Sequence, residues 1–137
     1  MRTKLRWLGF AWLVALAGNA NAENMSVNCE FGLLKQAHET LVFCGEQIDP
    51  ASEARYDKLK NEFSSFIAAN IDSKKASDDS VEDIRRRLLQ NGRERACKDR
   101  GYPLLRRAFF HYTSDIGMDG VSNLLNRARD PSEGGCF

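Results

Sequence analysis

Apolar residues recur at helical spacing along most of the chain, and the first such run lies between Asn28 and Cys44. A helical spacing of three or four residues brings four of its positions to one face: Leu34, Ala37, Leu41 and Cys44. We predict a helix here that Asn28 caps and Gly45 stops. His38 lies beside this face, and we expect it to be a partly buried, hydrogen-bonded structural residue.

A second helix is predicted to begin at Asp49-Pro50, because aspartate is a good N-cap and proline suits the first helical position. The helix should run to about Ala69. Its predicted inward residues are Tyr56, Leu59, Phe63, Phe66 and Ile67. The polar segment Asp72–Asp79 that follows has no periodic apolar residue and is expected to be a loop.

The third helical pattern, Ser80–Gly101, is expected to form the central helix of the fold, because apolar periodicity, strong positive charge and a cysteine coincide there. Its predicted inward residues are Val81, Ile84, Leu88 and Leu89. Gly92 interrupts the pattern at a position that should face the core. A glycine at this position predicts either close contact with another backbone or a kink in the helix at Gly92.

Two further helices complete the pattern. The fourth begins at Tyr102-Pro103, and its inward residues are predicted to be Leu105, Ala108, Phe109, Tyr112 and Ile116. A break at Gly117–Gly120 separates it from a last helix, Val121–Arg129, which is predicted to bury Val121, Leu124, Leu125 and Ala128 before Pro131 ends it. No alternating apolar and polar run is long enough for a strand. The sequence therefore predicts an all-α fold, a small bundle of four to five helices.

The first 22 residues have the pattern of a secretory signal peptide. Three basic residues precede the largely apolar run Trp7–Ala17, and Ala20-Asn21-Ala22 supplies a cleavage site. This run is too short for a membrane span, which needs about 20 apolar residues. We therefore expect cleavage of residues 1–22, a single helical domain over residues 23–137, and a periplasmic or secreted location without a stable membrane anchor.

All four cysteines lie beyond the predicted cleavage site, and an even number in an exported chain favours two disulfides. A zinc site is the alternative, but no pair has metal-ligand spacing, so we expect no metal ion and no cofactor. On one helix Cys29 and Cys44 would lie about 22 Å apart, at about 1.5 Å per residue, which is too far for a bond. If the first three helices alternate in direction, Cys44 meets Cys97, which leaves Cys29 for Cys136.

Charge is unevenly distributed along the predicted mature chain, which contains 17 basic and 19 acidic residues. Residues 23–80 hold 6 basic and 11 acidic side chains, residues 81–110 hold 9 and 4, and residues 111–137 hold 2 and 4. Arginine supplies eight of the nine positive charges of the middle segment, and its planar donors suit carboxylates on a partner protein. The candidate contact residues are Arg86, Arg87, Arg93, Arg106 and Arg107.

Two alternatives to a docking role remain open for this basic segment. In the first alternative, the arginines pair with the acidic second helix inside the fold; in the second, they form a solvated face. Binding of nucleic acid is disfavoured, because the predicted mature chain is acidic overall and exported. The expected partner is another envelope or secreted protein with an acidic surface.

The six residues Cys97–Tyr102 resemble the cysteine-histidine-aspartate-x-glycine-tyrosine helix of secreted bacterial phospholipases A2, which are also small, helical and bridged by two disulfides. Lys98 replaces the catalytic histidine of that family, and lysine is a poor base near neutral pH. A helix C-terminus followed by a glycine stop explains the same residues, so we do not assign the chain to this family. No nucleophile elbow, phosphate-binding glycine loop or metal-binding helix appears elsewhere in the sequence.

Two functions are consistent with these observations. The favoured one is a protein-binding module, such as an inhibitor, an immunity protein or an adaptor, that uses the arginine-rich helical face. The alternative is a small secreted hydrolase acting on lipid or cell wall, centred on Asp99, Tyr102 and His111.

Overall fold

The computed structural model describes residues 25–70 and 81–136. The predicted signal peptide, residues 1–22, and the predicted loop, residues 72–79, lie outside these ranges. The described residues form six α-helices and no strand, which confirms the all-α class and slightly exceeds the predicted four to five helices. The helices are α1 Val27–Phe43, α2 Pro50–Asn70, α3 Val81–Asn91, α4 Arg93–Lys98, α5 Tyr102–Tyr112 and α6 Asp115–Leu124.

The central helix of the fold is α1, which packs against α2, α3, α4 and α5. The prediction that Ser80–Gly101 forms the central helix is therefore wrong. The reason is visible in the burial of the two segments. All residues of α1 from Ala37 to Leu41 are buried, and five consecutive helical residues point to all sides of the helix. In contrast, α3 buries only Ile84 and Leu88.

The hydrophobic core is one cluster to which α1, α2, α5 and α6 contribute. Phe31 of α1 stacks on Phe63 of α2, with ring centroids 5.1 Å apart. Phe109 of α5 is fully buried, and Val121 of α6 is almost fully buried. The predicted inward face of α2 is confirmed: Tyr56, Leu59 and Phe63 are buried, and Phe66 and Ile67 pack against them.

Local hydrogen bonds set the first two helix starts. Asp49 caps α2 as predicted, because its Oδ1 accepts a hydrogen bond from the backbone N–H of Ser52 at 2.9 Å. The cap of α1 is Ser26, whose Oγ accepts from the N–H of Cys29 at 3.1 Å. The prediction that Asn28 caps this helix is wrong, because the earlier serine already satisfies a free amide of the first turn.

Gly92 divides the predicted third helix into α3 and α4. Its φ of 81° lies in the left-handed region, which glycine adopts without steric cost. A Cβ built at this position would meet no atom within 4 Å, so the backbone conformation and not close packing accounts for the glycine. Leu89, predicted to face inward, is 73% exposed. It lies about 100° around α3 from Leu88, and therefore misses the contact with α1.

The break between the last two helices lies at Thr113 and Ser114, and not at Gly117–Gly120 as predicted. The Thr113 hydroxyl donates to the carbonyl of Phe109 at 3.0 Å, and Ser114 Oγ accepts from the N–H of Gly117 at 3.1 Å. These bonds end α5 and start α6. Gly117 is required inside α6, because a Cβ there would collide with the backbone at the end of α5.

Two predicted core residues are exposed as a result. Ile116 lies in the first turn of α6 and is 77% exposed. Ala128 is also exposed, since α6 ends at Leu124 and not at Arg129. The new break is also stabilised from α2, where Arg55 donates to the carbonyl of Thr113 at 2.8 Å.

Both predicted disulfides are present. Cys44 pairs with Cys97 at a Cα–Cα distance of 5.6 Å, and Cys29 pairs with Cys136 at 5.3 Å. The segment after α6 returns to the start of α1, where the carbonyl of Gly135 accepts from the N–H of Ser26 at 3.1 Å. Two bridges are compatible with an oxidising compartment. Within the ranges that the structure describes, no helix combines the length and apolarity needed to cross a membrane.

Candidate functional site on α5 and the turn after α1

The five candidate arginines are all exposed, but they lie on three helices. Arg86 and Arg87 belong to α3, Arg93 to α4, and Arg106 and Arg107 to α5. Both α3 and α5 pack against α1, and the short α4 contacts both of them. The arginines therefore form separate groups around the central helix, each with its own surroundings.

Part of the positive charge of this segment is balanced inside the fold. Arg86 pairs with Asp83 on its own helix, and Arg85 donates to Glu39 of α1 at 2.7 Å. Neither acidic partner belongs to α2, so these pairs differ from those that the alternative of pairing with the second helix requires. Two acidic residues of α2 pair instead with lysines of the same helix: Asp57 with Lys60 and Glu62 with Lys58.

Arg93 contacts the C-terminal end of α1. Its Nη2 donates to the carbonyl of Cys44 at 3.3 Å. The last carbonyls of a helix lack partners within the helix, and the last turn of α1 contains no basic residue of its own. Arg93 supplies the missing donor next to the disulfide between Cys44 and Cys97, which gives this arginine a role inside the fold.

Glu46, in the turn between α1 and α2, binds two residues of α5. The hydroxyl of Tyr102 donates to its Oε2 at 2.8 Å, and Nε of Arg106 donates to its Oε1 at 2.9 Å. The hydrogen bond from Tyr102, followed by that from Arg106, lowers the pKa of Glu46 below its ordinary value. The pKa of Tyr102 is raised, first by partial burial and then by the hydrogen bond to Glu46. Glu46 does not stand out in the sequence, because its partners are 56 and 60 residues away.

A groove of about 550 Å³ follows the outer face of α5. We call it the α5 groove, and its lining residues are Pro103, Arg106, Arg107, Phe110, His111 and Ser114. These positions are three or four residues apart, so they share one side of the helix. From the first to the last of them the groove extends about 16 Å, at about 1.5 Å per residue.

The α5 groove combines an aromatic ring with cationic side chains. The guanidinium of Arg106 lies 5.1 Å from the ring centroid of Phe110, within the range of a cation–π interaction. Phe110 in turn packs edge-on against the buried Phe109, with centroids 5.3 Å apart, so the core determines where its ring lies. Arg107 makes no hydrogen bond or ion pair with any residue that the structure describes. The groove therefore contains the apolar ring of Phe110, the guanidinium of Arg106 held over that ring, and the guanidinium of Arg107, which is available to a ligand.

The three residues of the hydrolase alternative do not form a common site. Tyr102 is bound to Glu46, and Asp99 accepts a long hydrogen bond from the N–H of Gly101 at 3.4 Å. His111 lies near the other end of α5, about 14 Å along the helix from Tyr102. In the described part of the chain, no group of three or more His, Cys, Asp or Glu residues is placed to hold a metal ion.

A second polar cluster surrounds His38, between α1, α2 and α3. Its Nδ1 lies 3.3 Å from Glu39, its Nε2 lies 2.9 Å from Glu53, and its ring stacks on Tyr56 with centroids 3.8 Å apart. Arg85 binds the other oxygen of Glu39. Burial, and then the nearby carboxylates, raise the pKa of Tyr56. This cluster agrees with the expectation of a structural histidine, although the sequence did not reveal its partners.

Comparison with known proteins does not identify a relative. No protein family, curated protein or solved structure matches this chain. Its function is therefore inferred from the geometry and charge of the described residues.

Proposed function

We propose that the protein is an exported protein-binding module that docks an acidic partner through its basic helical surface, as an inhibitor, an immunity protein or an adaptor does. The observation that carries this proposal is the α5 groove, where Arg106 and Arg107 lie beside the fixed ring of Phe110. Arginine and aromatic residues are enriched in protein interfaces, where they supply most of the binding free energy. Carboxylates on the partner would form charge-assisted hydrogen bonds with the guanidinium groups.

The fold supports this role because its contacts hold α5, and with it the groove residues, in one position. The helix α5 packs along α1, and its residue Tyr102 donates a hydrogen bond to Glu46 in the turn after α1. The disulfide between Cys44 and Cys97 lies at the same end of α1. A binding surface that is already ordered loses less conformational entropy when it docks.

Export is the second part of the proposal. The N-terminal signal pattern and the two disulfides together favour a periplasmic or secreted protein, whose partner is then met in the same compartment. Mass spectrometry of the protein recovered from the cell envelope should find Glu23 as the first residue.

The docking role is tested by capture from envelope extract. The wild-type protein should retain a specific acidic protein, and the amount retained should fall as salt is raised. The variant with Arg106→Glu and Arg107→Glu should lose this protein. A control with Arg95→Glu and Arg100→Glu makes the same change in net charge at exposed residues outside the groove, and it should retain the protein. Undiminished capture by the first variant, with thermal unfolding showing that it is folded, would contradict the proposal.

A further inference from the structure

We infer that the partner enters the α5 groove as a short acidic chain segment, whose carboxylate binds Arg107 and whose neighbouring apolar side chain packs on Phe110. This inference rests on the proposed function and narrows it to one site and one ligand chemistry.

The carboxylate is assigned to Arg107 because the two arginines of the groove differ in their surroundings. Nε of Arg106 already donates to Glu46, and its guanidinium lies over the ring of Phe110. Arg107 is exposed and makes no hydrogen bond or ion pair among the described residues, so its fork of donors is open to a ligand. A carboxylate matches this fork in a bidentate geometry, which strengthens the contact and fixes its direction.

The apolar part of the segment follows from the exposed hydrophobic residues beside the groove. Leu104 is 63% exposed and lies one helical turn before Arg107, on the same side of α5. Ile116 is 77% exposed and follows Ser114, the last lining residue of the groove, by two positions in the chain. A ligand that contacts only the arginines would leave Leu104 and the part of the Phe110 ring that Arg106 does not cover in water. A segment that combines acidic and apolar residues covers both kinds of surface.

The dimensions of the groove fit a chain segment. At about 3.3 Å per residue, about five extended residues cover its length of about 16 Å. The arginines of α3 do not extend this site directly, because none of them lines the groove and Arg86 is paired with Asp83. We therefore expect binding to depend on α5 and to be insensitive to charge reversal elsewhere.

The test uses a fluorescent synthetic peptide of about eight residues, long enough to span the groove, that contains glutamate and leucine. Its matched control has glutamine in place of every glutamate. We expect the acidic peptide to bind, to shift the backbone amide resonances of residues 104–114, and to bind more weakly in salt. Arg107→Glu should raise the dissociation constant at least about tenfold, and Leu104→Ser should raise it about threefold. Arg95→Glu, which changes net charge equally outside the groove, should change it less than about twofold.

Equal binding of the glutamine peptide, or an equal loss with Arg95→Glu, would overturn the inference. Binding to phosphatidylglycerol vesicles without binding to the peptide would overturn it in favour of a lipid surface. Capture of an envelope protein that requires Arg106 and Arg107, together with no peptide binding, would overturn this inference and leave the proposed function standing. Capture that does not depend on these arginines would overturn both.

Discussion

Each end of α1 is held by a disulfide, but the polar groups at the two ends differ in how fully they are hydrogen-bonded. At the C-terminal end, Glu46 accepts hydrogen bonds from Tyr102 and Arg106, and Arg93 donates to the carbonyl of Cys44, the residue that follows α1. At the N-terminal end, Oδ1 of Asn28 and two guanidinium nitrogens of Arg129 are buried without a hydrogen-bond partner among the described residues.

The pKa values of the carboxylates at the two ends shift in opposite directions. Burial raises the pKa of Glu30 near the start of α1, and the charge of Arg129 only partly opposes this effect. Hydrogen bonds lower the pKa of Glu46 near the end of the helix. Buried polar groups without partners cost free energy, whereas paired ones contribute it. The C-terminal end is thus stabilised by packing and paired charge, and the N-terminal end depends on the tail that Cys136 ties to Cys29.

Removing each disulfide separately tests this difference most strongly. Replacing Cys44 and Cys97 by alanine should lower the free energy of unfolding by about 4 kcal/mol, because the crosslink closes a long loop in the unfolded chain and several helices meet there in the folded one. Replacing Cys29 and Cys136 should cost only about 2 kcal/mol, although its loop is longer, because the freed tail also gains entropy in the native state. Urea unfolding of both variants measures the two values. A larger loss for the second variant would show that the tail is part of the cooperative core.

The ion pair between buried Glu39, on the C-terminal half of α1, and exposed Arg85 gives a smaller expected effect. Glu39→Gln removes the charge that Arg85 and His38 both contact, and should cost about 1–2 kcal/mol. The matched control Glu62→Gln removes a partly exposed carboxylate that lies 3.8 Å from Lys58, and should cost less than about 0.5 kcal/mol. Thermal unfolding at neutral pH compares the two variants. Equal losses would mean that burial of Glu39 adds nothing to its ion pair.

The smallest expected effect is a difference in the sign of the pH dependence at the two ends. The pKa of Glu30 is raised in the folded state, so its contribution to stability is present below the ordinary glutamate pKa of about 4.3 and is lost as pH rises through the raised value. The pKa of Glu46 is lowered, so its contribution is present above about 4.3 and is lost as pH falls through the lowered value.

At pH 7, Glu30→Gln should therefore stabilise the protein by less than about 1 kcal/mol, and Glu46→Gln should destabilise it by about 0.5 kcal/mol. Urea unfolding between pH 3 and pH 7 measures both differences, and each should shrink in acid. If Glu30→Gln is destabilising at neutral pH, then the attraction of Arg129 and of the helix dipole outweighs the cost of burial.

Several features of this fold were predictable because they depend on residues close together in the chain. The start of α2 follows from Asp49-Pro50, and the stripe of Tyr56, Leu59 and Phe63 follows from helical spacing. The prediction for the end of α5 was wrong, because a hydroxyl-to-carbonyl bond of Thr113 ended the helix before the glycines that were expected to end it. Ile116 was then counted on a helix to which it does not belong.

By itself, the sequence determined the all-α class and narrowed the disulfide pairings, and the pairing of Cys44 with Cys97 followed once the first three helices were assumed to alternate in direction. Helical spacing is a local property, and the rigid rise of the first helix excludes a bond between Cys29 and Cys44. Only the tertiary structure decided which helix is central and which charged groups meet. Glu46 finds Arg106 across 60 residues, and Glu39 finds Arg85 across 46. These pairs depend on how the helices cross around α1, and no spacing along one helix encodes that crossing.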